Sequence, residues 1–218
     1  MTPSERILVA AEQIFNSKGF RAATVREICR SAGVNLAAVN YYFGDKAALY
    51  RAVVRRLMER VFEGNPLQTD VDDPEVQLAQ FVRTMLNRLL APGGLSTYQN
   101  HSRLLARELV DPSPVLDAVV EDFIRPQAAV LTRIIQDLVG GQASMDQVWH
   151  CAFSIIGQCI YYGYAWPVMI RLHPMDLSDP DAIDRLAGHV VAFSLYGLRN
   201  FSATGGAFTG QEPCPKKK

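Results

Sequence analysis

The 218-residue sequence has no surplus of either charge, 22 Lys and Arg standing against 22 Asp and Glu. A nucleic-acid-binding domain usually shows a clear excess of Lys and Arg, so net charge alone suggests no such partner. The four cysteines, at 29, 151, 159 and 214, lack any C-x-x-C spacing, and the chain is too large to depend on disulfide staples. Reduced thiols in a cytoplasmic protein are the expectation. The opening residues, Met1-Thr2-Pro3-Ser4-Glu5-Arg6, lack the charged-then-apolar pattern of a secretion signal. There is no H-E-x-x-H run, no glycine-rich phosphate loop and no ordered Ser/His/Asp set, and the histidines at 101, 150, 173 and 189 are scattered. The sequence therefore predicts no metal site, no cofactor and no enzyme. Strand-like alternation and internal repeats are lacking as well, which leaves out β-rich folds and solenoids.

What is present suits a helical globular protein. Hydrophobic residues make up 49% of the chain and charged residues 20%, enough apolar content to bury a core and to exclude a disordered chain. Helix start and stop signals recur throughout, so the fold class is all-α. Thr2-Pro3-Ser4-Glu5 forms an S/T-x-x-E capping box with Pro at the first helical position. Ile7, Leu8, Ala11, Ile14 and Phe15 follow as an apolar stripe, and Gly19 is expected to stop the helix. A second box, Thr24 to Glu27, opens a short helix ended by Gly33. Asn35 caps a two-turn helix from Leu36 to Phe43. Gly44-Asp45 ends that one and caps a fourth, whose Leu49, Val53, Leu57 and Val61 keep one apolar stripe.

A polar run rich in Gly and Pro, from Glu63 to Pro74, marks a junction. It divides a head of residues 1–62 from a body of residues 63–203, with helices expected near 74–90, 95–109, 114–139, 144–172 and 179–203. From Thr204 the chain turns to Gly, Pro and Lys, which predicts a disordered tail over 204–218. Cys151 to Ile170 is a stretch of 20 residues without formal charge, about the length that spans a bilayer. Ser154, Gln158, two glycines, three tyrosines and Pro167 interrupt it, so it reads as a buried helix and no membrane partner is expected.

Charge by segment revises the first impression. Residues 1–62 hold ten Lys and Arg but five acids, a net of +5, and the remainder carries −5. A basic head is joined to an acidic body. Within the head, Thr24 to Phe43 reads as two short helices joined by a tight turn at Gly33, a helix-turn-helix that presents its second helix to a DNA major groove. Leu36, Val39 and Phe43 should face the core, leaving Asn35, Ala37, Ala38, Asn40 and Tyr41 outward. Alanines permit close approach and can touch thymine methyls, while Asn40 is suited to a bidentate contact with adenine. Asn35 serves mainly as a cap. Tyr42, Lys46 and Thr24, the last two at helix starts, are placed to reach phosphates. The alternative is a module for small molecules or proteins whose head no longer touches DNA, since the alanine-rich second helix carries few donors. Arg21, Arg26, Arg30, Lys46, Arg51 and Arg55 should then scatter rather than line one face.

These residues resemble the DNA-binding domain of the TetR family of bacterial regulators. The resemblance rests on Ile14-Phe15…Gly19-Phe20, Thr24-Val25-Arg26-Glu27-Ile28, Ala32-Gly33-Val34 and Tyr41-Tyr42-Phe43-Gly44-Asp45-Lys46…Leu49. It implies a homodimer that binds a palindromic double-stranded operator and represses until a small ligand binds the C-terminal domain. Thr24, Tyr42 and Lys46 match the family's phosphate-contact positions, and Ala37, Asn40 and Tyr41 its groove face. Asn40 departs from the tyrosine of many members, so base preference does not transfer. Farther on, His101…Arg107-Glu108…Pro112-Ser113-Pro114, Arg125-Pro126 and Ile156-Gly157-Gln158-Cys159 resemble the CerR-type C-terminal domain.

The body must then supply dimerisation and sensing. The last helix carries an apolar stripe, Ile183, Leu186, Ala187, Val190, Val191, Ser194, Leu195 and Leu198, broad enough for a partner helix. With the uncharged helix before it, it is expected to form a four-helix dimer interface, Gly157 and Gly163 allowing close approach; filling the monomer core is the other reading of both helices. Tyr98, His101, Phe153, Gln158, Tyr161 and Tyr162 are candidates for an effector pocket of unknown ligand, although an aromatic stripe at helical spacing also reads as plain core.

Overall fold

Each helix of the first sixty residues begins on a side-chain cap. In the computed structural model, which describes residues 1–68, 71–92, 94–95, 102–141, 143–174 and 176–204, α1 (Pro3–Ala22) starts at Thr2, whose hydroxyl accepts from the Glu5 N–H at 3.2 Å while Glu5 accepts from the Thr2 N–H at 2.7 Å. α2 (Val25–Ala32) repeats the box with Thr24 and Glu27. α3 (Leu36–Phe43) is capped by Asn35, which accepts from Ala38 at 2.9 Å, and α4 (Lys46–Gly64) by Asp45, which accepts from Ala48 at 2.7 Å. These contacts satisfy N–H groups that a helix start leaves unpaired. Ile7, Phe15, Ile28, Val39, Leu49 and Val53 fill the core among the four helices.

One expectation about α1 changes. Gly19 does not stop the helix but kinks it, with φ 79° and ψ 175°, and the helical turn resumes to Ala22. A side chain there would be strained by that φ, and its Cβ would come within 2.9 Å of the Arg107 guanidinium. The φ is what calls for glycine, since the end of the Arg107 side chain can move aside.

The body is built around α5 (Pro74–Leu90), which packs against α8 (Arg125–Val139), α9 (Met145–Tyr164) and α11 (Ala182–Thr204). Between come α6 (Ser102–Val110) and the one-turn α7 (Leu116–Val119), and α10 (Trp166–Leu172) precedes α11. No strand occurs among the described residues. The segments expected as 114–139 and 144–172 are each divided. Pro126 has no N–H for the Asp122 carbonyl, and the turns before it widen into a π-helical stretch, Val120–Ile124, where the Arg125 N–H reaches back to Val120. Pro167 sits in the first turn of α10, and the helix breaks just before it at Ala165 (φ −87°, ψ 5°). Of the helix expected over 95–109, Leu95 lies in a turn with its N–H on the Arg88 carbonyl, and residues 96–101, like the tail beyond Thr204, lie outside the described residues.

Candidate functional sites

The turn that presents α3 depends on Gly33. Its φ of 64° and ψ of 41° are left-handed, and from there its N–H closes α2 on the Arg30 carbonyl while Val34 N–H reaches Cys29. Val39 is then fully buried, Phe43 and Ala38 pack partly on the core, and Asn35, Leu36, Ala37, Asn40, Tyr41 and Tyr42 are exposed. Leu36 was expected inward, yet it is 47% exposed, beside Tyr41 at 82%. At 3.6 residues per turn, Leu36, Asn40, Ala37 and Tyr41 fill one continuous arc, and the inward stripe of so short a helix is only as wide as Val39 and Phe43. Ala38, expected outward, is half-buried and packs against the core. The face offered outward is thus one leucine, one alanine, one amide and one phenol.

The head also carries most of its cations on α2 and α4, the helices on either side of α3 in the chain. Lys46, on the first turn of α4, is held in place: its ammonium donates to the Arg21 carbonyl at 3.2 Å and lies 4.7 Å from the centre of the Phe20 ring. Of the other basic residues in the head, Lys18 pairs with Glu27 (2.5 Å), Arg21 with Asp111 of the body (2.8 Å), Arg55 with Glu59 (2.7 Å) and Arg60 with Glu12 (3.6 Å). Arg26 and Arg30, one turn apart on α2, and Arg51 on α4 are exposed and form no ion pair among the described residues. The cations on the helix-turn-helix itself and at the start of α4 therefore keep their charge for a partner, and Arg21 spends its charge on the body.

Head and body meet at α6. The Tyr50 hydroxyl, buried between Phe15 and Phe20, donates to Glu108 at 2.6 Å. Burial and this carboxylate push the Tyr50 phenol far above its ordinary range, so it stays protonated. The second Glu108 oxygen accepts from the N–H and the hydroxyl of Ser113, both at 3.0 Å. Arg107 donates to the Ser17 carbonyl at 3.2 Å. The Arg107-Glu108 and Ser113 positions singled out in the sequence thus form the joint.

A cavity of about 400 Å³ lies between the end of α4 and the body, among α4, α5, α6, α7, α8 and α9, lined by Met58, Phe62, Met85, Leu131, Trp149 and Phe153 among others. Of the residues expected to line an effector pocket, only Phe153 does so; Tyr98 and His101 lie outside the described residues. The cavity takes the α9 positions Trp149, Ala152, Phe153, Ile156, Ile160 and Tyr164, one helical stripe, and Gln158, Tyr161 and Tyr162 fall on other sides of the helix. Gln158 instead reaches Ser194 of α11 at 3.4 Å, and Tyr161 is exposed. Arg88 was missed. It lies seven residues after Phe81 and three after Met85, in register with the apolar stripe of α5, which is the signal that marks it.

The stripe assigned to a partner helix is the monomer core. Ala187, Val190, Ser194 and Leu198 are buried, and Ile183, Leu186, Val191 and Leu195 pack against them. A second apolar face stands open on the same helix, with Phe193 and Tyr196 at 68% and 74% exposed. On α9, Phe153 and Tyr161 are likewise exposed, so that helix is not wholly buried, and Gly157 between them has nothing nearby. Gly163 serves a contact inside the subunit, its missing Cβ lying 3.2 Å from Leu89. No helix of the described residues is long and apolar enough to cross a membrane.

Comparison with known proteins places these features in a family. Residues 7–53 match the family described as bacterial regulatory proteins, tetR family, and residues 74–198 match the C-terminal domain of the HTH-type transcriptional dual regulator CecR. The chain is 30% identical over 199 residues to the HTH-type transcriptional regulator RutR of Escherichia coli, covering 88% of this chain and 89% of that one. It is 27% identical over 143 residues to the probable HTH-type transcriptional regulator YttP of Bacillus subtilis, covering 63% of this chain and 65% of that one, so the match spans just under two thirds of that relative. Among solved structures, the transcriptional regulator FadR from Bacillus subtilis, in complex with stearoyl-CoA, shares the fold with a TM-score of 0.59 at 16% identity, over 88% of this chain and 98% of that one.

Proposed function

Because the chain belongs to the TetR family of transcriptional regulators, a family of regulators rather than enzymes, with a CecR-type C-terminal domain, we propose that it is a dimeric repressor, released from a palindromic operator by a small molecule. Two α3 helices enter successive major grooves in the cytoplasm, where the DNA is. Asn40 and Tyr41, with Ala37 and Ala38 beside them, read base edges; Thr24, Tyr42 and Lys46 hold phosphates, and Asn35 caps the reading helix. A dimer through the open faces of α9 and α11 fixes the spacing of the two heads. The ligand binds the spacing that does not fit DNA more tightly than the spacing that does, by about 1–3 kcal/mol for a typical coupling.

The observation that carries this reading is the exposed face of α3 in a helix-turn-helix whose own cations, Arg26 and Arg30, with Arg51 and the anchored Lys46 on α4, form no ion pair among the described residues. Arg21 and Arg55, by contrast, are ion-paired, with Asp111 and Glu59. The test is selection of operators from a genomic library, followed by anisotropy titration at several salt concentrations. Asn40→Ala should cost about 1–3 kcal/mol at the preferred operator and relax the preference at the base pair it contacts. A protein that shows neither sequence preference nor salt dependence would refute the reading.

A further inference from the structure

We infer that Arg88 anchors the effector, and that the effector is an apolar molecule carrying a single carboxylate. The inference deepens the proposed function and rests on its reading of the body as the sensing domain. Arg88 is 3% exposed and lines the cavity. Its Nε donates to the Asn65 carbonyl at 2.9 Å and its Nη1 to the Gln127 side-chain oxygen at 3.0 Å, and the guanidinium carbon lies 4.1 Å from the centre of the Phe62 ring. These contacts orient the group, but all three are with neutral partners. A guanidinium has five N–H donors, and the two bonds leave Nη2 with no acceptor among the described residues.

Among the described residues no acid is paired with this charge. Glu108 also lines the cavity, but its carboxylate is turned to Tyr50 and to the N–H and hydroxyl of Ser113, and it forms no ion pair with Arg88. Arg125, the other cation of the lining, is paired with Glu121 at 2.5 Å. Burial alone pulls the Arg88 pKa down to about 10, with no acid pushing back, and the group is still protonated at neutral pH. A buried charge without a counter-ion is costly to keep, and the fork of a guanidinium matches a planar carboxylate with two parallel hydrogen bonds. Apart from these groups the wall is Met85, Leu89, Leu131, Trp149, Phe153, Ile156 and residues like them. A cation would be repelled by Arg88, and a neutral ligand would leave its charge unmatched. An apolar body with one anionic end satisfies both parts of the cavity.

The full-length protein is titrated by calorimetry, without DNA, with octanoate, 1-octanol and octylammonium, three probes that share a tail and differ in the head. Octanoate is expected to bind at least about tenfold more tightly than octanol, a difference of about 1.4 kcal/mol, and octylammonium more weakly than either. Arg88→Gln should bring octanoate to the level of octanol, and Arg88→Lys should keep part of the preference. Equal affinity for octanoate and octanol overturns the assignment, as does tighter binding of octylammonium, absence of binding by all three, or an octanoate affinity that Arg88→Gln leaves unchanged. The comparison of heads is made on the wild-type protein and stands even where a variant misfolds. Operator release is then read separately. Octanoate that binds without releasing the operator refutes the release step and leaves the site, whereas release by octanol with no preference for octanoate refutes the site and leaves the release step.

Discussion

All four helices of the head start on a side-chain cap, Thr2, Thr24, Asn35 and Asp45, whereas in the body α5 and α9 do so, on Asp73 and Ser144, and α7 and α10 start on none. In the head, the residues that begin and end each helix lie within three or four positions of the groups they satisfy, and one side of each helix is polar. In the body, α9 and α11 carry apolar residues on two sides, one packed inside the subunit and one open. The difference teaches that the head is specified by local contacts and held in one shape, as a surface that must match a groove requires. The body is specified by which apolar faces meet, and it retains a cavity and an uncovered face. Those are the places where a ligand and a second subunit can act.

The sharpest way to break that contrast is to charge the open face. Phe193→Asp with Tyr196→Asp places two carboxylates where both side chains are mostly exposed, so the subunit should fold as before. In the dimer the same change buries four like charges. Sedimentation should show monomers, circular dichroism should be unchanged, and operator affinity should fall roughly 10²- to 10⁴-fold as bivalent binding is lost. A variant that remains dimeric would show that the open apolar face is not the dimer interface. The next largest effect belongs to the joint. Tyr50→Phe removes one donor from the buried Glu108, leaving it the two from Ser113, and should cost about 1–3 kcal/mol in urea unfolding. Should head and body be coupled through this bond, the variant's operator affinity will also respond less to the effector.

The same contrast explains what could be read from the sequence. Thr2, Gly33, Asn35 and Asp45 could be assigned from spacing alone, because caps and left-handed turns are short-range chemistry. Leu36 could not, since an eight-residue helix gives too few turns to fix the width of its buried stripe. The apolar stripe of α11 was found correctly as a stripe, but one chain cannot say whether a partner or its own core covers it; the core does, and Phe193 and Tyr196 on the other side are the open residues. The cavity escaped for a similar reason. It is bounded by side chains from six helices, and only their packing shows that Trp149 and Arg88 reach the same space while Tyr161 does not. Pro126 and Pro167 were visible, yet whether a proline ends, widens or kinks a helix depends on what the neighbouring helices allow.

The smallest effect tests whether a head residue can be both structural and functional. Thr24 caps α2 and is also proposed to hold a phosphate. Thr24→Ala should lower stability by about 1 kcal/mol through loss of the cap, whereas Thr24→Asn, with another good capping residue, should restore it. Operator affinity separates the two roles: weakening shared by both variants reports the lost phosphate contact, and weakening confined to Thr24→Ala reports the cap alone. The pH dependence adds a second readout. Lys18, then the Thr24 hydroxyl and N–H, hold the Glu27 carboxyl below its ordinary range. A carboxylate whose pKa is lowered by folding stabilises the folded state above its unfolded pKa, and that contribution is lost as pH falls through the folded value. The stability gap between the wild type and Thr24→Ala, measured by urea unfolding, should therefore narrow on acidification through the carboxylate range. A gap that is constant with pH would mean that the Thr24 hydroxyl stabilises α2 through the Glu27 N–H alone.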